Sequence, residues 1–215
     1  MTLKINYLDA KKGLSKNTAL FLSNDSKISE FKGIFDDKIN QKIDNYLKKS
    51  KNNKKNKIES INVDFDQKVV LVLLSGKNNT QVSEELGAKF YDYIKKNDIK
   101  NITIVGSNYS STKNKIFLNQ FVHGAELKSY EFNLYKTKKS KKEIVLNILK
   151  RKNQINPKVK HKLDAVLNGV NFTKDLVSEP GNILHPDEYA KRLIKLKKFG
   201  LKVTVYDEKK LKKIR

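Results

Sequence analysis

The sequence predicts an α/β fold: a mixed β-sheet flanked by helices, followed by a long helix and an incomplete second α/β domain. Three observations predict it. "IESINVDF" alternates apolar and polar residues, while the neighbouring "KVVLVLLS" is continuously apolar from Val69 to Leu74. The first pattern suits an edge strand and the second a strand buried on both faces. From 68 to 105 the chain then reads strand, helix, strand with short loops, a βαβ unit whose crossover is expected to be right-handed. Finally, two of the three prolines, Pro180 and Pro186, stand six residues apart between two helical stretches near Arg215.

Taken in order, "TLKINYL" (2–8) alternates as a half-buried strand, and "TALFLS" (18–23) fits a second. In "FDDKINQKIDNYLKK" the residues Ile39, Ile43, Tyr46 and Leu47 follow helical spacing. Asp36 is placed to cap that helix, and Asp37 lies where the helix dipole favours an acid. The run "KKSKNNKKNK" (48–57) is polar and cationic, hence a loop. The two strands around 58–75 meet at Asp66 and Gln67.

"TQVSEELGAKFYDYIKK" reads as a helix with Thr80 as its cap and Val82, Leu86, Phe90 and Ile94 on one face. "NITIVGS" gives a strand over 101–105 that turns on Gly106. A helical stretch from about Thr112 to Val122 follows, and then "SYEFNLY", whose alternating aromatics suggest an extended segment. "EIVLNIL" (143–149) is a further strand. From Pro157, suited to a first turn, a long helix runs to about Val177, with Val159, Leu163, Val166, Val170 and Val177 near one stripe.

That helix ends near "SEPG", because Pro180 cannot continue it and disfavours helix at Glu179. A new helix starts at Pro186 with Asp187 and Glu188 in its first turn, and Gly200 can close it in a left-handed cap. "LKVTVY" then alternates like a strand. The expected organisation is an N-terminal α/β domain over 1–152, a linker helix and interdomain passage over 153–182, and the start of a truncated C-terminal domain over 183–215. No internal repeat is visible.

Composition limits the function. The 215 residues, 38% hydrophobic and 32% charged, can bury a sizeable core. No apolar run is long enough to cross a bilayer, and the first residues lack the apolar block of a signal peptide. With no cysteine, thiol catalysis and cysteine metal sites are excluded, which fits a reducing cytoplasm. The net charge of +23 comes almost wholly from lysine, since only Arg151, Arg192 and Arg215 are arginine. Nucleic-acid readers use arginine's planar fork, so solvated lysine faces account for this charge better than a reading surface does. It still implies salt-sensitive attraction to polyanions.

No active site emerges. His123, His161 and His185 are not at ligand spacing from one another. Asp36/Asp37, Glu84/Glu85 and Asp207/Glu208 sit at helix starts or turns, where capping and solvation explain them. Two glycine turns after strands, "LLSGKNNT" (73–80) and "IVGSNYSS" (104–111), could bring amides to a phosphate but match neither a P-loop nor a dinucleotide fingerprint. The basic runs 48–57 and 136–142 lack interleaved aromatics, apart from Tyr135 at one margin, and so lack stacking platforms for single strands.

Two segments carry a resemblance. "FVHGAELKSYEFNLYKTKK" (121–139) resembles the segment that closes the N-terminal domain of M17 leucyl aminopeptidases, matching at Gly124, Leu127, Tyr130, Phe132, Tyr135 and Lys136. "FTKDLVSEPGNILHP" resembles that family's interdomain passage at Lys174, Asp175, Leu176, Pro180, Asn182 and Pro186, with Ser178 where asparagine is common. "LLSGKNN" and "EELGAKFYDYI" are similar to its glycine-lysine turn and Leu-Gly helix.

The resemblance implies a macro-domain-like N-terminal domain joined by a long helix to a peptidase domain. It also implies a cytoplasmic homohexamer that removes N-terminal residues from peptides, with two divalent ions, zinc or manganese, held by aspartates, a glutamate and a lysine. Those positions belong to the later domain. No catalytic, cofactor-binding or metal-binding residue is therefore expected in this chain, which alone should be inactive. Tyr189, Leu193, Leu196, Val203 and Val205 would need cover from a larger sheet. The alternative is a standalone basic module binding nucleic acid or a nucleotide.

Overall fold

The computed structural model describes residues 2–8, 14–23, 26–27, 33–49, 55–75, 79–105, 116–137, 143–149 and 155–214. The chain divides into two compact units, Met1–Asn168 and Gly169–Arg215.

The first unit is built on a six-stranded sheet. Its strands are β1 (Thr2–Leu8), β2 (Asn17–Ser23), β3 (Lys57–Asn62), β4 (Lys68–Leu74), β5 (Asn101–Val105) and β6 (Glu143–Leu149). The spatial order is β1-β6-β5-β2-β4-β3, parallel throughout except for the antiparallel β3–β4 pair. β3 lies at the edge, as its alternation predicts, and Val69 to Leu74 of β4 are all buried. β2 separates β4 from β5, so the βαβ unit spans one intervening strand.

Period-two alternation divides the core between the two sheet faces. On one, Ala19, Phe21, Val70, Val72, Ile102 and Ile104 pack with residues of α2 (Thr80–Lys96) and α3 (Phe117–Ser129). On the other, Leu20, Leu22, Val69 and Leu71 pack with Ile39 and Ile43 of α1 (Asp37–Lys49). Asp36 caps α1 as expected, its Oδ1 accepting from the Ile39 amide at 2.8 Å.

Three expectations in this unit need correcting. The cap of α2 is Asn79, whose side chain accepts from the Val82 amide at 2.9 Å. Thr80 is the first helical residue, and its Oγ1 accepts from Gln120 at 2.9 Å. Secondly, α3 does not stop at Val122 but runs to Ser129, because Gly124 is a packing position and not a breaker. Thirdly, "SYEFNLY" joins no strand among the described residues: Ser129 ends α3, and Leu134 and Tyr135 form a turn.

The helix α4 (Pro157–Ser178) begins and ends where its prolines predict. Its stripe differs from expectation, since Val166 and Val177 are exposed and Leu176 is buried. Asn156 caps it, with Oδ1 accepting from the Lys158 and Val159 amides at 3.1 and 3.2 Å.

In the second unit α5 (Pro186–Ile194) passes into a 3-10 turn, Lys195–Phe199, closed by Gly200 at φ 84°. The left-handed cap there is the predicted one. "LKVTVY" forms no strand, as no described segment pairs with it, and a short α6 (Glu208–Ile214) follows, capped by Asp207.

Candidate functional site

The most developed polar cluster of the first unit lies where β1, α3 and α4 meet. Tyr7 comes from the end of β1, His123 and Glu126 from successive turns of α3, and Lys160 and Asp164 from successive turns of α4. With Asn119, Val122 and Leu163 they line a cavity of about 10 Å³, room for roughly one water. Spacing of three on α3 and four on α4 puts each pair on one helix face.

Asn119 fixes the approach of α4. Its Oδ1 accepts from the Asn156 amide at 3.0 Å, and its Nδ2 donates to the Asn156 carbonyl at 3.1 Å. Lys160 Nζ donates to both oxygens of Asp164, at 2.8 and 2.6 Å, and stands 6.0 Å from the centre of the Tyr7 ring.

Burial controls the charge states. It pushes the Glu126 carboxyl up to about 7; Lys160 opposes that rise and Asp164 adds to it. Burial also pushes the Tyr7 hydroxyl up to about 12, helped by Glu126 and Asp164, so it keeps its proton. His123 moves the other way, burial lowering it below its ordinary value despite the nearby acids Glu84 and Asp164. The residue is 3% exposed, and its Nδ1 finds no hydrogen-bond partner among the described residues. Burial thus acts on two groups lining one cavity, raising the Glu126 carboxyl and lowering the His123 imidazole.

Elsewhere the structure scatters the other residues singled out by sequence. His161 and His185 are exposed. Asp36 and Asp207 are caps, and Glu85 accepts from Gln81 on the surface of α2. Residues 76–78 and 106–115, the centres of both glycine turns, lie outside the described residues, as do 50–54 and 138–142 of the basic runs. Among the described residues no three His, Cys, Asp or Glu side chains come together as a metal cage. The described helices include none long and apolar enough to cross a membrane.

The second unit is organised by one arginine. Arg192 Nη1 donates to Glu179 at 2.7 Å and its Nε to Glu188 at 3.2 Å, tying α5 back to the residue after α4. The Glu179 side chain is only 2% exposed. Apolar groups are treated differently. Val177, Ile183, Tyr189, Ile194, Phe199, Leu201, Val205, Tyr206, Leu211 and Ile214 are all exposed, and α5, the 3-10 turn and α6 bury no residue.

Glu126, Tyr7, Lys160 and Asp164 were not evident from sequence. The available signal was helical spacing through "HGAELKS", which pairs His123 with Glu126 once α3 is continued past Val122.

Comparison with known proteins identifies a family. A family profile described as the cytosol aminopeptidase family, N-terminal domain, matches residues 19–139. A probable cytosol aminopeptidase of Phytoplasma mali (strain AT) is 42% identical over 100 residues, 44% of this chain and 20% of that protein. One from Gluconobacter oxydans (strain 621H) is 43% identical over 89 residues, 40% of this chain and 18% of that protein. The aligned part is therefore about a fifth of these relatives. Among solved structures, a tomato leucine aminopeptidase mutant superposes with a TM-score of 0.66 at 20% identity, covering 99% of this chain and 46% of that one. The bottromycin maturation enzyme BotP in complex with Mn gives 0.61 at 13% identity, covering 92% of this chain and 40% of that one. Both likenesses establish the mixed α/β fold, and since the profile spans more than half of its residues, this chain belongs to the cytosol aminopeptidase family through that family's N-terminal domain.

Proposed function

We propose that this chain is the N-terminal, noncatalytic portion of a metal-dependent leucyl aminopeptidase that releases N-terminal amino acids from peptides. One observation carries the reading: the family domain matched over 19–139 is the N-terminal one. The exposed apolar side chains of the second unit also support it, because a larger sheet would cover them.

On this reading the two divalent ions, manganese or zinc, bind outside this chain, whose described acids and histidines do not fit a metal cage. The chain contributes to assembly of a cytoplasmic homohexamer and to shaping access for peptides. Two measurements test it. The purified chain, supplied with Mn²⁺ or Zn²⁺, should not hydrolyse leucine p-nitroanilide; turnover would sink the noncatalytic assignment. The reading frame beyond the Arg215 codon should continue into aspartates, a glutamate and lysines; an immediate stop codon would overturn the peptidase reading for this product.

The net charge of +23 favours a second reading, a standalone basic module for nucleic acid or a nucleotide. Its mark is an affinity for a single- or double-stranded oligonucleotide that falls steeply with salt. A shallow salt dependence, with no binding of ADP-ribose-like ligands, rejects it.

A further inference from the structure

Apolar packing does little to hold α5 in place within the second unit. α5, the 3-10 turn and α6 bury no residue, and α4 buries only Leu176. One carboxylate there is nonetheless almost sealed from water, since the Glu179 side chain is 2% exposed. Its backbone still belongs to α4, because the Glu179 amide donates to the Asp175 carbonyl at 3.1 Å.

The cation that meets this carboxylate comes from the next helix. Arg192 Nη1 donates to Glu179 at 2.7 Å, and Arg192 Nε donates at 3.2 Å to Glu188, one turn earlier on α5. A planar fork can serve both acids at once, so Glu188 aims the guanidinium that reaches Glu179. Between the helices, the Pro180 carbonyl accepts from the Ile183 and Leu184 amides, both at 2.9 Å, and closes the intervening turn.

We propose that the Glu179–Arg192 pair is a charge-held clasp that sets the angle of α5 against the end of α4. It thereby sets the direction in which the chain leaves that helix. Docking α5 takes the Glu179 carboxylate out of water, a cost that its paired guanidinium offsets. Without that cation the docked arrangement keeps a buried charge uncompensated, and the chain escapes by letting α5 swing into solvent. With both charges removed, nothing drives that escape. The clasp lies wholly within this chain, so it stands or falls independently of the aminopeptidase reading.

The chain has no cysteine, so paired spin labels can be introduced without removing any native residue of that type. Thr173→Cys on α4 and Lys191→Cys on α5, both at exposed positions, report the angle between the helices in the whole 215-residue chain. Double electron–electron resonance should give one narrow distance. Adding Arg192→Gln should abolish that peak and leave a broad distribution. Adding Glu179→Gln to Arg192→Gln should restore it, because two neutral amides can stay docked.

A broad distribution with the native pair intact overturns the proposal, and so does a narrow peak that survives Arg192→Gln. A double variant as broad as Arg192→Gln alone would mean that Arg192 acts through its aliphatic stem, which overturns a charge-held clasp as well. The measurement on the native pair alters neither charge, so the proposal can fail even where a variant folds poorly.

Discussion

Gly87 of α2 lies directly against the backbone of Phe121 in α3: a Cβ there would stand 1.8 Å from the Phe121 carbonyl oxygen. The contact is reciprocated, since a Cβ on Gly124 would stand 1.9 Å from the carbonyl oxygen of Glu84. These obstacles are backbone, so alanine at either position can be accommodated only by separating the helices. Gly87→Ala and Gly124→Ala should each lower stability by about 2–3 kcal/mol or more, read from urea midpoints. Gly169→Ala is the control. It adds a methyl with nothing within 4 Å inside α4, and should be neutral or stabilising by up to ~1 kcal/mol.

The same glycine shows where sequence reading stops. With the helical stretch expected to end at Val122, the partnership of His123 with Glu126 disappears from view, although α3 continues through Gly124 to Ser129. Whether a glycine breaks a helix or lets another backbone approach depends on a neighbour distant in sequence, here Glu84. Alternation has a similar limit. In "KVVLVLL" and "EIVLNIL" partner strands exist, and strands form. In "LKVTVY" and "SYEFNLY" the pattern is as good, but no described segment offers a ladder. Signals that act within a few residues were legible: Asp36 as a cap, Pro186 as a first turn and Gly200 as a left-handed stop. The cavity around Glu126 depends on three elements meeting, which no local signal reports.

Phe121 anchors the core above this crossing. Its ring meets Phe21 edge to face at 4.8 Å and lies 5.2 Å from that of Phe90, and all three are essentially inaccessible to solvent. Phe121→Ala should destabilise the first unit by about 3–5 kcal/mol, through lost transfer energy and a cavity that the sheet cannot fill. Phe121→Leu should cost visibly less. Thermal or urea unfolding distinguishes them, and equal losses would mean that ring geometry dominates volume.

Acid sensitivity should be visible at Glu131. Lys95 Nζ donates to its carboxylate at 2.8 Å, and that bond leads the influences holding Glu131 down at about 2. A depressed carboxylate stabilises the fold above its unfolded value of about 4.5, and the contribution is lost as pH falls towards about 2. Because the pair is partly solvated, its worth is about 0.5–1 kcal/mol. Lys95→Met should flatten the stability profile between those limits and leave it unchanged at neutral pH apart from that small loss. An unaltered acid limb would show that other groups hold Glu131 down.

The second unit gives the last prediction. Its buried polar anchor, Glu179 with Arg192, coexists with exposed large apolar groups such as Val177 at 82% and Phe199 at 70%. Large apolar side chains left exposed on a strongly charged chain offer surface to apolar probes. The purified chain should therefore enhance the fluorescence of a surface-hydrophobic dye while the first unit remains cooperatively folded. Phe199→Ser with Leu211→Ser should reduce that signal without moving the unfolding midpoint of the first unit, because neither residue is buried. A chain that binds no dye and sediments as a clean monomer would mean that these side chains find cover within the molecule. The support they lend to a longer aminopeptidase would then be withdrawn, although membership in the family, which rests on residues 19–139, would be untouched.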